Sequence, residues 1–169
     1  MLAVRWYLRF GLSYRDLEEL LAERGIDVVH VTLFRWVQRF TPLLINGARP
    51  CRHAVGSRWF VDETYVKVAG VWRYGYRAAA LAHVIAELTP AVEHNAEQYA
   101  NNRIERDHGR LKARLRPMRG LKTDRTVRVI IRGHAFVQNL RRGHYELGTE
   151  ARHDQLRVAA AFDELATTI

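Results

Sequence analysis

The strongest constraint on the fold is a change of hydrophobic period along the chain. Residues 1 to 40 follow a helical pattern, and the pattern is helical again from about residue 99. Between them, residues 58 to 79 (RWFVDETYVKVAGVWRYGYRAA, after Ser57) alternate in the two-residue period of a strand, broken at Gly70. The intervening residues 41 to 57 hold two prolines and two glycines with little periodicity, which predicts a linker. One alternating stretch split by a glycine gives a hairpin and little more, and a lone hairpin needs helices to pack on. The fold class expected is α+β, mostly helical.

The N-terminal part has the local signals of two short helices. Leu2, Trp6 and Phe10 recur at four-residue steps. Ser13 precedes YRDLEELLAERG with Asp16 three residues on, a capping arrangement. Leu17, Leu20 and Leu21 make the apolar stripe, and Gly25 ends the helix. A second helix is predicted from about Thr32 through Phe40, with Leu33, Trp36, Val37 and Phe40 on one face. Two short helices joined by a glycine-containing turn match a helix-turn-helix, whose second helix would offer Thr32, Arg35, Gln38 and Arg39 to the major groove. The same pattern also suits an ordinary helical hairpin.

Charge brings the first of these two readings level with the second. Among 169 residues, 27 are Lys or Arg against 18 Asp or Glu, a net charge of +9. Such a surplus points to a polyanion, since neutralising phosphates releases counterions. All the cations except Lys67, Lys112 and Lys122 are arginines, which suit bidentate contacts to phosphate and guanine. A single cysteine, Cys51, excludes an intrachain disulfide. No apolar run reaches the ~18 residues of a membrane span, and Arg5 and Arg9 interrupt the first apolar stretch, so no signal peptide is expected. The expected location is the cytoplasm, with access to DNA.

Two acidic residues stand out. Alternation puts Asp62 on one strand face with Phe60, Thr64, Val66 and Val68, where a carboxylate is costly unless paired or metal-bound. Pairing with a nearby arginine would satisfy it equally. Glu105 lies in NNRIERDHGRLKARLRPMRG, three residues after Asn102, where it could also close a capping box. Ile104, His108, Leu111 and Leu115 share one face of that predicted helix, which Pro117 and Gly120 stop; His108 is read as a core residue. Arg103, Arg110, Lys112 and Arg119 are candidate DNA contacts. The eight histidines include no pair at the four-residue spacing of a zinc helix.

The blocks LAVRWYLRFGLSYRDLEELLAERGI, VTLFRWVQRF, RWFVDETYVKVAGVWRYGYRA and NNRIERDHGRLKARLRPMRGLKT, in this order, resemble the insertion sequence six family of bacterial DDE transposases. The resemblance implies an N-terminal helix-turn-helix (1–41), a linker (42–57), an RNase H-like DDE domain (58–148) and a helical tail (149–169). It also implies three carboxylates holding two Mg2+ or Mn2+ ions for phosphodiester transfer. By the same resemblance, the first Asp falls on Asp62 and the terminal Glu on Glu105, as catalytic and metal-binding residues. Partners implied are double-stranded DNA at terminal inverted repeats, further copies of the chain, or intact transposase copies.

The chain departs from that pattern between the two matched carboxylates. Only 42 residues, Glu63 to Ile104, separate Asp62 from Glu105, and none is an aspartate. The blocks join near Ala78 to Leu81, as an internal deletion would leave them. Glu87, Glu93 and Glu97 are the only acids between Glu63 and Glu105, none in a strand-end context. The expectation is a truncated, catalytically defective remnant that keeps DNA binding; the alternative is a non-catalytic repressor or inhibitor of intact copies.

Overall fold

In the computed structural model the described residues are 1–54, 64–75, 102–115, 121–153 and 156–168. Among the described residues, six α-helices and one two-stranded antiparallel sheet give a mostly helical α+β architecture. The helices are α1 (Leu2–Arg9), α2 (Tyr14–Ala22), α3 (His30–Gly47), α4 (Asn102–Leu115), α5 (Asp124–Arg141) and α6 (Arg157–Ala166). The strands are β1 (Thr64–Val68) and β2 (Val71–Gly75).

Local rules explain most of these ends. Ser13 Oγ accepts from the Asp16 backbone N–H at 3.1 Å, and the Asp16 carboxylate accepts from Ser13 N–H at 2.7 Å, so the capping box is complete. Gly25 has φ +74° just after α2, the left-handed exit anticipated for it. The hairpin turns through Ala69 and Gly70, both at positive φ, a two-residue turn whose twist suits the strands it joins. Val66 and Val68 are buried while Lys67 is exposed, as alternation requires.

Two compact units result. Residues 1–54 and 124–169 form one, residues 55–123 the other. In the first, α3 packs on α1, α2, α5 and α6. Tyr7 stacks on Tyr14 with ring centroids 4.3 Å apart, and Phe34 meets Tyr14 edge-on. Phe136 packs against both Tyr145 and Phe162. Segments far apart in sequence are also joined by backbone bonds: His53 N–H to His144 C=O at 3.1 Å, and Glu146 N–H to Cys51 C=O at 2.7 Å. In the second unit the hairpin is tied to the end of its own segment by Ala69 N–H donating to Leu121 C=O at 2.8 Å.

Three features differ from the sequence expectation. The row Leu2, Trp6, Phe10 is not the core face of α1; Ala3, Val4, Tyr7 and Leu8 are buried, whereas Leu2 and Phe10 are exposed. In α3, Leu33 and Val37 are buried as expected, but Trp36 lies on the exposed side. That helix also continues through TPLLING, residues read as linker, with Pro42 inside it. Thr41, Leu44 and the following Ala48 extend the buried row, and this packing outweighs the one backbone hydrogen bond Pro42 cannot donate. By contrast Val129, Ile130, His134, Val137 and Leu140 of α5, which recur at helical spacing, are all buried.

Close packing fixes where α5 crosses the N-terminal helices. A Cβ added at Gly133 would lie 2.6 Å from Leu8 Cδ2 and 2.9 Å from Thr41 Cγ2, so only glycine permits this approach.

Candidate functional site

The turn between α2 and α3 is held from both sides. Leu17 and Leu21 anchor α2 in the core, and Leu33 and Val37 anchor α3. Between them, Glu18 reaches across from α2 to the first residue of α3. Its Oε2 accepts from His30 N–H at 2.8 Å and lies 2.8 Å from His30 Nδ1. A carboxylate at a helix N-terminus satisfies one orphan amide and meets the positive end of the macrodipole. The His30 amide, then its ring, hold the Glu18 carboxyl below its ordinary value. Sequence reading missed this contact; a glutamate twelve residues before a helix start carries no local signal.

The structure separates the four candidates on α3. Arg35 and Arg39 are exposed, one turn apart on the outward side, and Arg39 also lies over the Phe40 ring at 5.8 Å. Thr32 is half-buried near the helix start. Gln38 is half-buried too, and its Nε2 is buried with no hydrogen-bond partner among the described residues. Val31 and Trp36 flank the two arginines and are exposed. The outward face thus offers two guanidinium groups with apolar surface beside them, chemistry suited to guanine edges or phosphates and to thymine methyls.

In the second unit, Glu105 is the fourth residue of α4, and β1 begins two residues after Asp62. Asp62 and Arg119 lie outside the described residues, as do the side chains of Arg103 and Glu105. Arg110 and Lys112 are exposed on α4. Two positions apart on a helix means about 200° of rotation, so they do not share a face. Leu111 is buried between them, His108 and Leu115 are half-buried, and Arg114 is buried at 6% exposure. Among the described residues no group of three or more His, Cys, Asp or Glu could hold a metal ion.

Against known proteins, residues 78–144 match the family model described as a DDE domain, a span that includes α4 and α5. A 76-residue stretch is 47% identical to the transposase for insertion sequence-like element IS431mec of Staphylococcus aureus. It is 46% identical to the transposase for insertion sequence element IS257 in transposon Tn4003 of the same species. Over this stretch the chain is similar to transposases of insertion sequences. The stretch shared with either curated relative covers 45% of this chain and 34% of the relative's length. No solved structure gives a significant match. Among the described residues no helix is long and apolar enough to cross a membrane.

Proposed function

We propose that this relative of the insertion sequence six transposases is a DNA-binding protein with a defective DDE segment. Its recognition element is the helix-turn-helix formed by α2 and α3, which presents Arg35 and Arg39, with Thr32 at the entrance, to the ends of an insertion sequence. The domain assignment keeps the sequence-based order with two changes: the helix-turn-helix of 1–41 has its second helix running on to Gly47, into the segment read as linker (42–57), and of the truncated RNase H-like segment (58–148) residues 124–148 pack with residues 1–54 and with the tail (149–169). Within that segment Asp62 and Glu105 take the first and last positions of the carboxylate triad.

One observation carries the proposal. The DDE domain match begins at Ala78, directly after the hairpin block, and no aspartate stands between Glu63 and Ile104. The missing stretch is the one that should carry the second Asp, so two corners of a three-cornered site remain. Asp62 and Glu105 are hard oxygen donors of the kind Mg2+ or Mn2+ takes, and these two residues would hold what metal binds. When bound, such a metal polarises phosphate oxygens. Two ligands leave the reacting oxygens poorly placed, and an error of ~1 Å can cost about a hundredfold in rate.

The remaining activity is occupancy. A protein that binds element ends without cutting them acts as a repressor, or as an inhibitor of intact copies, with which it could also form mixed oligomers. Its site of action is the bacterial nucleoid.

Two measurements test this. A gel shift comparing terminal inverted repeats with random duplex should show preference for the repeats; equal affinity would sink the inhibitor reading. A strand-transfer assay on the same ends with Mg2+ or Mn2+ should show no product. Divalent-dependent cleavage abolished by Asp62→Ala would overturn the defective-core reading.

A further inference from the structure

From Arg125 to Tyr145 the chain holds five arginines and no acidic residue. Three of them, Arg125, Arg128 and Arg132, are spaced three and four apart on α5, which places them within an arc of about 60°. All three are exposed, while Val127, Ile130, His134, Val137 and Leu140 on the other sides of the helix are buried. The result is one dry face turned to the core and one arginine stripe turned to solvent.

Several other arginines of their unit are held within the protein. Arg157 donates to the carbonyls of Leu147 and Tyr145, Arg5 pairs with Asp163 at 3.4 Å, and Arg24 lies over the Trp6 ring. Arg125, Arg128 and Arg132 have no hydrogen bond, ion pair or ring contact among the described residues. The only carboxylate on α5 is Asp124, at its first residue. Arg128 and Arg132 sit at i and i+4, where like charges repel. Asp124 stands four residues before Arg128 but forms no ion pair with it, so among the described residues one nearby carboxylate faces three arginines and the stripe keeps a net positive charge for an outside partner.

We propose that the outward face of α5 is a second DNA contact, a clamp for the phosphate backbone of one strand that does not read sequence. This deepens the DNA-binding reading above and rests on it. From Arg125 to Arg132 the helix rises ~10 Å, and a strand offers one phosphate per 3.4 Å of duplex axis, so the stripe addresses about three phosphates. Arginine's fork suits phosphate oxygens. A lipid surface fits poorly, because insertion needs an apolar face beside the cations and the apolar side of α5 is buried.

The test uses the whole chain and a 30-base-pair random duplex labelled for fluorescence anisotropy, titrated over a salt series. Replacing the stripe (Arg125→Gln, Arg128→Gln and Arg132→Gln together) should make the slope of log affinity against log salt shallower by about 2 to 3, since each phosphate left without its arginine removes ~0.9. Affinity should fall at least about tenfold at low salt, with the circular dichroism melt unchanged. The matching triple lysine variant should keep the slope. An unchanged slope in the glutamine variant, with binding still weakened by Arg35→Gln and Arg39→Gln, would overturn the clamp and leave the α2–α3 reading standing. Failure of the unaltered protein to bind any duplex would remove both. Binding to phosphatidylserine vesicles in place of duplex would overturn the clamp in favour of a lipid surface.

Discussion

Glu18 on α2 caps α3: its Oε2 lies 2.8 Å from both the backbone N and the Nδ1 of His30. This contact joins α2 to the first residue of α3, the helix that carries Arg35 and Arg39. The same carboxylate makes the turn sensitive to acid. Glu18 is held below its ordinary value by the His30 amide and then the His30 ring, and Asp16 by the Ser13 amide and then its hydroxyl. A depressed carboxyl contributes stability that is fully present above its unfolded value, about 4 for these residue types. That contribution is lost as pH falls through the folded value. Between pH 6 and pH 3 the melting temperature should therefore drop less in Glu18→Gln than in the unaltered protein; parallel profiles would show that the cap contributes nothing.

Ser13→Ala removes the other half of a local cap. The cost expected is about 1 kcal/mol, within the range of ~0.5–2 known for such positions, read from urea unfolding. A loss below ~0.3 kcal/mol would mean that the reciprocal bond from Asp16 suffices.

Gly133→Ala should destabilise by about 1–3 kcal/mol, because the added methyl meets Leu8 and Thr41 at less than van der Waals distance. The partners are side chains, so the clash can be relieved. Adding Leu8→Ala should give a double variant less destabilised than the sum of its parts, by an interaction of ~0.5 kcal/mol or more. Additive losses would place the strain elsewhere.

Gly148→Ala should be the more damaging glycine change. Gly148 has φ +63°, and a Cβ there would collide with the backbone carbonyl oxygen of Arg157, which cannot rotate away. A loss of at least ~2 kcal/mol is expected from conformation and clash together. A melt within about 2 °C of the unaltered protein would contradict this.

Arg35→Ala should cost about 1–3 kcal/mol of binding to element ends and little to random duplex, if its guanidinium reads a base edge. An equal loss on both would make it a phosphate contact.

How much of this was legible in the sequence depended on how far the deciding interaction reaches. The Ser13–Asp16 box, the Gly25 exit and the hairpin turn at Gly70 were all readable, since each is set within a few residues or by strict periodicity. The row Leu2, Trp6, Phe10 misled because a four-residue step drifts by about 40° each time on a helix of 3.6 residues per turn. Size and apolarity then favoured Trp6 and Phe10 over Ala3 and Val4. Gln38 looked like a base reader by residue type, yet its amide nitrogen is turned inward.

By itself, the sequence determined the Ser13–Asp16 capping box, the Gly25 exit, the hairpin, the resemblance to insertion sequence six transposases and the absence of an aspartate between Glu63 and Ile104. Those depend on neighbours along the chain or on the residues alone. Only the tertiary structure decided that residues 1–54 and 124–169 form one unit, that α3 continues past Pro42, and that Arg125, Arg128 and Arg132 are exposed and form no ion pair among the described residues. Burial is the reason. Which side of a helix is dry depends on partners more than a hundred residues away, such as Leu8 against Gly133, and no local pattern encodes where they meet.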